Sequence, residues 1–209
     1  MTFGAGEAID LVDWRRQVFR LYEQVRASAE PPAAWRLWCA TRDRLYREHP
    51  QSPVPAAERA GFPGCSYFEY DPEARVLGRV EPYERAHEDV VSSLGAAFPF
   101  SRVGTVRFTV AEEEHSLALL WNEGYGGGVF ISFQDTTSGR ETYPAARYLL
   151  DTVKGSDLGT SDGRLVLDFN FAYNPSCAYD SSWACPLAPR ESRLSVAIRA
   201  GERAPIRQQ

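Results

Sequence analysis

The 209-residue chain is 44% hydrophobic and 24% charged, with a formal net charge of −5. That composition is globular, the length suffices for one sizeable core, and the acidic balance offers no footprint for nucleic acid or an anionic membrane. Four cysteines are too sparse for a disulfide framework. The N-terminus, MTFGAGEAIDLVDWRRQ, has no basic start followed by an apolar run, and no stretch approaches a membrane span. A cytoplasmic location with reduced thiols is the expectation.

From Asp10 to about Ser28, residues Leu11, Trp14, Val18, Leu21, Tyr22 and Val25 recur every three or four positions, which predicts an amphipathic helix with Asp10 capping its first turn. Pro31 and Pro32 interrupt it. Trp35, Trp38, Arg42, Leu45 and Tyr46 then repeat the spacing and predict a second helix. PQSPVPAAERAGFPG carries too much Pro and Gly for more than a turn or two and reads as a linker. After Cys65 the period changes. CSYFEY and RVLGRVEPY suit extended segments about a turn at Asp71 and Pro72. Glu84 to Phe98 is open between helix and strand. Val103 to Val110, His115 to Trp121 and Gly128 to Phe133 predict an antiparallel meander, joined by AEEE and NEGYGGG. Arg147 to Leu150, Arg164 to Phe169 and Leu194 to Arg199 add short strands. Helices followed by strands indicate one α+β domain over residues 1–209. Its N-terminal helices (1–50) pack on a mostly antiparallel β-sheet or barrel-like core (66–202).

Polar residues gather at the ends of the later strands. Arg147, flanked by Tyr143, Ala146, Tyr148, Leu149 and Leu150, reads as a buried guanidinium that needs acceptors. Asp135, Glu141, Asp168 and Glu191 are the candidates. Period-2 alternation sends Asp168 and Asn170 to one face, toward Arg147 or Glu141, with Phe169 and Phe171 on the other. Asn174 and Pro175 then end the strand. Each of these polar residues also suits a turn bonded to its own backbone. Cys177 and Cys185 match neither a redox C-x-x-C pair nor zinc spacing, and His49, His87 and His115 are scattered. No metal or cofactor is expected. GYGGGVF lacks the lysine of a phosphate loop, and there is no G-x-S-x-G or H-E-x-x-H motif.

The stretches DTTSGRETYPAARYL and DFNFAYNPSCAYDSSWACPLAPRESRLSVAIRAGE resemble the bacterial and archaeal family of domain of unknown function 1684, as do HPQSPV and YFEYDPEARV upstream. The resemblance spans about Arg42 to Glu202. It implies a cytosolic-type single-domain protein without an assigned reaction. Asp135, Thr137, Gly139, Glu141, Thr142, Tyr143, Arg147, Tyr148, Asp168, Asn170, Tyr173, Asn174, Cys177, Tyr179, Cys185 and Glu191 align with its pattern. Ala146 replaces the family's glycine, Phe171 a basic or polar residue, and Ser192 an asparagine.

Two functions fit these residues. One is a small-molecule enzyme, hydrolytic in type, with Glu141 or Asp168 as acid or base and Arg147 orienting an anionic or carbonyl group. Asp135, Tyr143, Asn170, Tyr173, Asn174 and Glu191 complete its pocket. The other is a non-catalytic ligand-binding or interaction protein in which the same polar set is a satisfied structural network. A small, anionic ligand is the expected partner in the first case, and a homo-oligomer is open in both.

Overall fold

The structure, a computed structural model, describes residues 4–206. Helices α1 (Ala5–Ala27) and α2 (Pro31–Glu48) pack on one another. Helix α1 starts at Ala5 and not at Asp10, because Glu7 reaches back to the Gly4 amide at 2.8 Å and satisfies it from within the first turn. Pro31 and Pro32 open α2, where a missing amide hydrogen costs nothing. Its buried stripe is Ala34, Trp38, Leu45 and Tyr46. Trp38 is fully buried, while Trp14 and Trp35 are partly covered.

Strands β1 (Arg75–Val91), β2 (Ala97–Val110), β3 (Glu113–Asn122), β4 (Gly128–Phe133), β5 (Arg147–Asp151), β6 (Thr160–Ser161) and β7 (Arg164–Asp168) follow. They form a seven-stranded sheet in the order β5-β4-β3-β2-β1-β7-β6, antiparallel throughout. The fold is therefore α+β with a mainly sheet core, and the stretch from Glu84 to Phe98 is strand apart from the turn that joins β1 to β2. Ala111 and Glu112, both at positive φ (51° and 65°), make the two-residue β2–β3 turn whose twist matches the flanking strands.

Register shifts between Pro82 and Ala86, Arg102 and Gly104, and Ile131 and Ser132 curl the sheet. Beyond β7, Tyr173 exchanges both backbone hydrogen bonds with Tyr148 of β5 at 2.8 and 3.0 Å. The two sides of the sheet thus meet in a barrel-like closure. Alternation along β3 and β4 feeds two cores. Leu117, Leu119, Ile131 and Phe133 point into one, with Leu167, Phe169 and Ile198. Ala118, Leu120 and Phe130 point into the other, against Leu21, Tyr22 and Trp38 of the helices. With both faces covered, β3 reads as a continuous apolar run.

Two expected strands take another form. CSYFEY contributes a single bridge, Tyr67 to Glu202; its backbone-to-backbone bonds go to the 201–203 segment, and the Cys65 amide and the Tyr67 hydroxyl donate to Asp43 of α2. Leu194 to Arg199 lies outside the ladder: it bends at Ser195 and Val196, bonds Gln134 and Thr136 just beyond β4, and gives the Ile198 carbonyl, like that of Ala200 beyond it, to the Arg147 guanidinium instead of a strand. No helix among the described residues is long and apolar enough to cross a membrane.

Candidate functional site

Arg147 opens β5 with its guanidinium pointing into the barrel end, 1% exposed. It donates to the carbonyls of Ala200, Ile198 (2.8 Å) and Glu202 (3.5 Å) and to Asp135 Oδ2 at 3.2 Å, and stacks on Phe133. Burial pulls its pKa down to about 10, with Asp135 opposing, so it stays charged at neutral pH. Asp135 is equally occupied. Its Oδ2 also accepts from the Ile198 amide (2.6 Å), and its Oδ1 from the Thr137 amide, the Thr137 hydroxyl and Ser138. The pair staples the 198–202 strap to the barrel with no acceptor spare.

Asp168 and Asn170 do not point toward Arg147 or Glu141. Asp168 Oδ1 accepts from the Asn170 amide (3.0 Å) and side chain (2.8 Å), and this local cap winds Phe169–Phe171 into a 3-10 turn, which ends the strand alternation. Phe169, Asn170 and Phe171 are consequently all buried. Asn170 also clamps the Asp71 backbone at both ends, accepting from its amide and donating to its carbonyl. Burial lifts the Asp168 carboxyl to about 6, with the Asn170 hydrogen bonds opposing. Its nearest cation is Arg75, at 4.0 Å. Glu141 lies at the surface with Arg199, whose hydrogen bonds hold it below the usual carboxylate range. Glu191 is exposed in a 3-10 turn. Tyr143 bonds the Cys177 carbonyl at 3.3 Å.

Tyr173 and Asn174 instead reach a different centre, a cleft of about 250 Å3 between the helix hairpin and the barrel mouth. Trp14, Tyr46, Tyr148, Tyr173 and Trp183 give it aromatic walls, with Arg15 and Lys154 also on its lining. At its base is Arg42 of α2, whose guanidinium lies 4.8 to 4.9 Å from the ring centres of Trp38, Tyr46 and Tyr173. Arg42 donates to Tyr46 Oη (2.8 Å) and to Glu202 Oε2 (2.9 Å), and the Asn174 amide donates to the same oxygen at 2.8 Å. Glu202 is fully buried. Burial pushes its carboxyl above the usual range while Arg42 pulls it back. Arg42 Nε, Asn174 Oδ1 and Glu202 Oε1 have no hydrogen-bond partner in the protein. The Asn174 side chain is oriented by its Nδ2, which donates to the Arg203 carbonyl at 2.7 Å, so the spare group is an acceptor.

Of the sequence candidates, Asp135 and Arg147 meet directly. Tyr173 and Asn174 meet at the cleft. Glu141, Asp168 with Asn170, and Glu191 stand apart. Among the described residues, no group of three or more His, Cys, Asp or Glu is placed to hold a metal ion. Sequence reasoning passed over Arg42 and Glu202, although a signal existed for each. Arg42 occupies the apolar stripe of α2, four positions from both Trp38 and Tyr46, and Glu202 continues the inward alternation of Leu194, Val196, Ile198 and Ala200. A charge at an apolar position needs a buried partner.

A family model described as protein of unknown function (DUF1684) matches residues 60–203. No curated protein matches the chain. Among solved structures, an uncharacterized protein of the archaeon Haloarcula marismortui, determined by solution NMR, is similar. It has 35% sequence identity and a TM-score of 0.58, covering 79% of this chain and 89% of that one.

Proposed function

The chain belongs to the DUF1684 family, and we propose that it is a binding protein for a small amphipathic molecule held in the cleft between its helices and barrel. The carrying observation is Asn174, a residue of the cleft's aromatic lining whose Oδ1 is a buried acceptor left without a partner. An unmet buried acceptor costs on the order of 1–3 kcal/mol, which a ligand hydroxyl or N–H recovers. Aromatic walls favour a flat apolar body, and Arg15 and Lys154 favour an anionic tail. At about 250 Å3 the cleft suits a small metabolite-sized molecule. Such a protein binds without catalysing, because its carboxylate, Glu202, is already engaged by Arg42 and the Asn174 amide.

An enzymatic role is the second reading. It rests on the Asp168 carboxyl, raised to about 6 by burial, on a separate cleft of about 210 Å3 that Arg26 and Arg75 also line. Glu141 is not part of that cleft's lining.

The test is calorimetric titration with para-hydroxyphenylacetate, which carries a donor, a ring and a carboxylate in line. Saturable binding is expected, with Asn174→Ala weakening it by roughly tenfold, the worth of one hydrogen bond. Trp183→Ala, at the mouth and 40% exposed, weakens it without unfolding the protein. Unchanged affinity in a folded Asn174→Ala protein overturns the reading.

A further inference from the structure

Cys177 and Cys185 lie eight positions apart in sequence and meet behind the cleft. The 3-10 turn Ser176–Ala178 presents the Cys177 amide to Cys185 Sγ at 3.3 Å. The Tyr143 hydroxyl stands 3.6 Å from the Cys177 sulfur, while Ser93 accepts from the Cys185 amide at 3.1 Å and donates to the Trp183 carbonyl at 2.9 Å. The two residues border different clefts. Cys185 lines the helix-to-barrel cleft, and Cys177 lines an open cleft of about 570 Å3 beside Val54, Phe62 and Tyr179. Each residue is less than a tenth exposed, so access is limited to small reagents.

We propose that Cys177 and Cys185 form a redox-active dithiol that reacts with small hydroperoxides, Cys177 as the attacking sulfur and Cys185 as the resolving one. The Cys177 sulfur forms a bond to the terminal peroxide oxygen as the O–O bond breaks, and the other oxygen leaves as water or alcohol with the thiol's proton. Cys177 is then a sulfenic acid, oxidised by two electrons, and the peroxide is reduced. The Cys185 sulfur attacks it, the S–S bond forms, the S–O bond breaks, and the hydroxyl leaves as water with the Cys185 proton. Two thiols and one peroxide give a disulfide and two waters, or one water and an alcohol. The Cys185 thiol, then the Tyr143 hydroxyl, draw the Cys177 thiol below its ordinary value against the effect of burial, while the same contact and burial push Cys185 up. Burial above all, with Glu202 adding to it and Arg42 opposing, pushes Cys39 and Cys65 up. The Tyr143 hydroxyl, 3.6 Å from Cys177 Sγ, assigns the attacking role to Cys177 without reference to any cleft ligand.

The experiment adds hydrogen peroxide at stoichiometric amount to the full-length reduced protein and follows each thiol by peptide mass mapping. The expected product is a Cys177–Cys185 disulfide, two hydrogens lighter, formed while Cys39 and Cys65 stay reduced. In Cys185→Ser the sulfenic acid persists on Cys177 and is captured by dimedone. Alkylation of Cys177 by iodoacetamide in the wild-type protein, which needs neither variant to fold, titrates with a midpoint below the ordinary thiol value, and Tyr143→Phe moves that midpoint upward. Oxidation of Cys39 or Cys65 ahead of the pair overturns the proposal. So does a Cys177 midpoint at the ordinary thiol value of about 8.5, or a Cys185→Ser protein without a dimedone adduct at Cys177.

Discussion

Asp168→Asn separates a strained buried charge from a structural cap. In the native chain, burial lifts the carboxyl from an ordinary 3.8 to about 6. A carboxyl with a raised folded-state pKa binds its proton more readily folded than unfolded. Its contribution to stability is therefore fully present below about pH 4 and is lost as pH rises through about 6. A gap of about two pH units is worth about 3 kcal/mol. Asparagine keeps the cap, because its Oδ1 accepts from the Asn170 amide and side chain as Asp168 Oδ1 does. It removes the charge, and Arg75, 4.0 Å away and 42% exposed, is too distant and too wet to compensate for it. Urea denaturation from about pH 4 to 8 is the assay. The variant is expected to match the native protein near pH 4 and to exceed its stability by up to about 3 kcal/mol near pH 8. Parallel curves across that range would refute the strained charge. A variant that loses stability above pH 6 would show that Arg75 holds Asp168 as a working ion pair, and the reasoning would fail in the opposite direction.

Arg147→Met strands Asp135 and three strap carbonyls and is expected to cost roughly 3–5 kcal/mol in urea denaturation. Gly201→Ala is expected to lower Tm sharply, because φ is 77° there and a Cβ would stand 2.6 Å from the carbonyl oxygens of Ala172 and Phe169. Phe171→Ala removes the ring that meets Trp38 edge-on at 5.4 Å between helix and barrel, and should cost roughly 3–5 kcal/mol. If helices and barrel form one domain, its denaturation followed by tryptophan fluorescence and by circular dichroism stays a single coincident transition.

Most of the fold was legible because it rests on local periodicity. Strand β2 follows alternation, β3 and β4 are short apolar runs, and the helices follow the spacing of Leu21, Tyr22, Val25, Trp38 and Leu45. The buried state of Arg147 was likewise readable from its neighbours, and Asp135 was among the partners its charge required. What was not legible is competition between two local patterns. Asp168 fits both an alternating strand and a turn cap, and the cap prevails because it satisfies the Asn170 amide over a span of two residues, with no strand partner required.

The cleft escaped for a different reason. Arg42 and Glu202 are 160 positions apart, and no window of sequence expresses that pairing. Each nonetheless violates the pattern around it, as a charge on a helix's apolar stripe and a charge on the inward register of an extended segment. Clusters of polar residues such as DTTSGRET resolve mainly into turns and caps that consume their own hydrogen-bonding groups, as the Asp135, Thr137 and Thr142 contacts do. A polar side chain set singly among apolar ones cannot be satisfied locally. It must find a distant partner, as Arg42 does in Glu202 and Asn174 in the Arg203 carbonyl, while Arg42 Nε and Asn174 Oδ1 keep no partner within the protein.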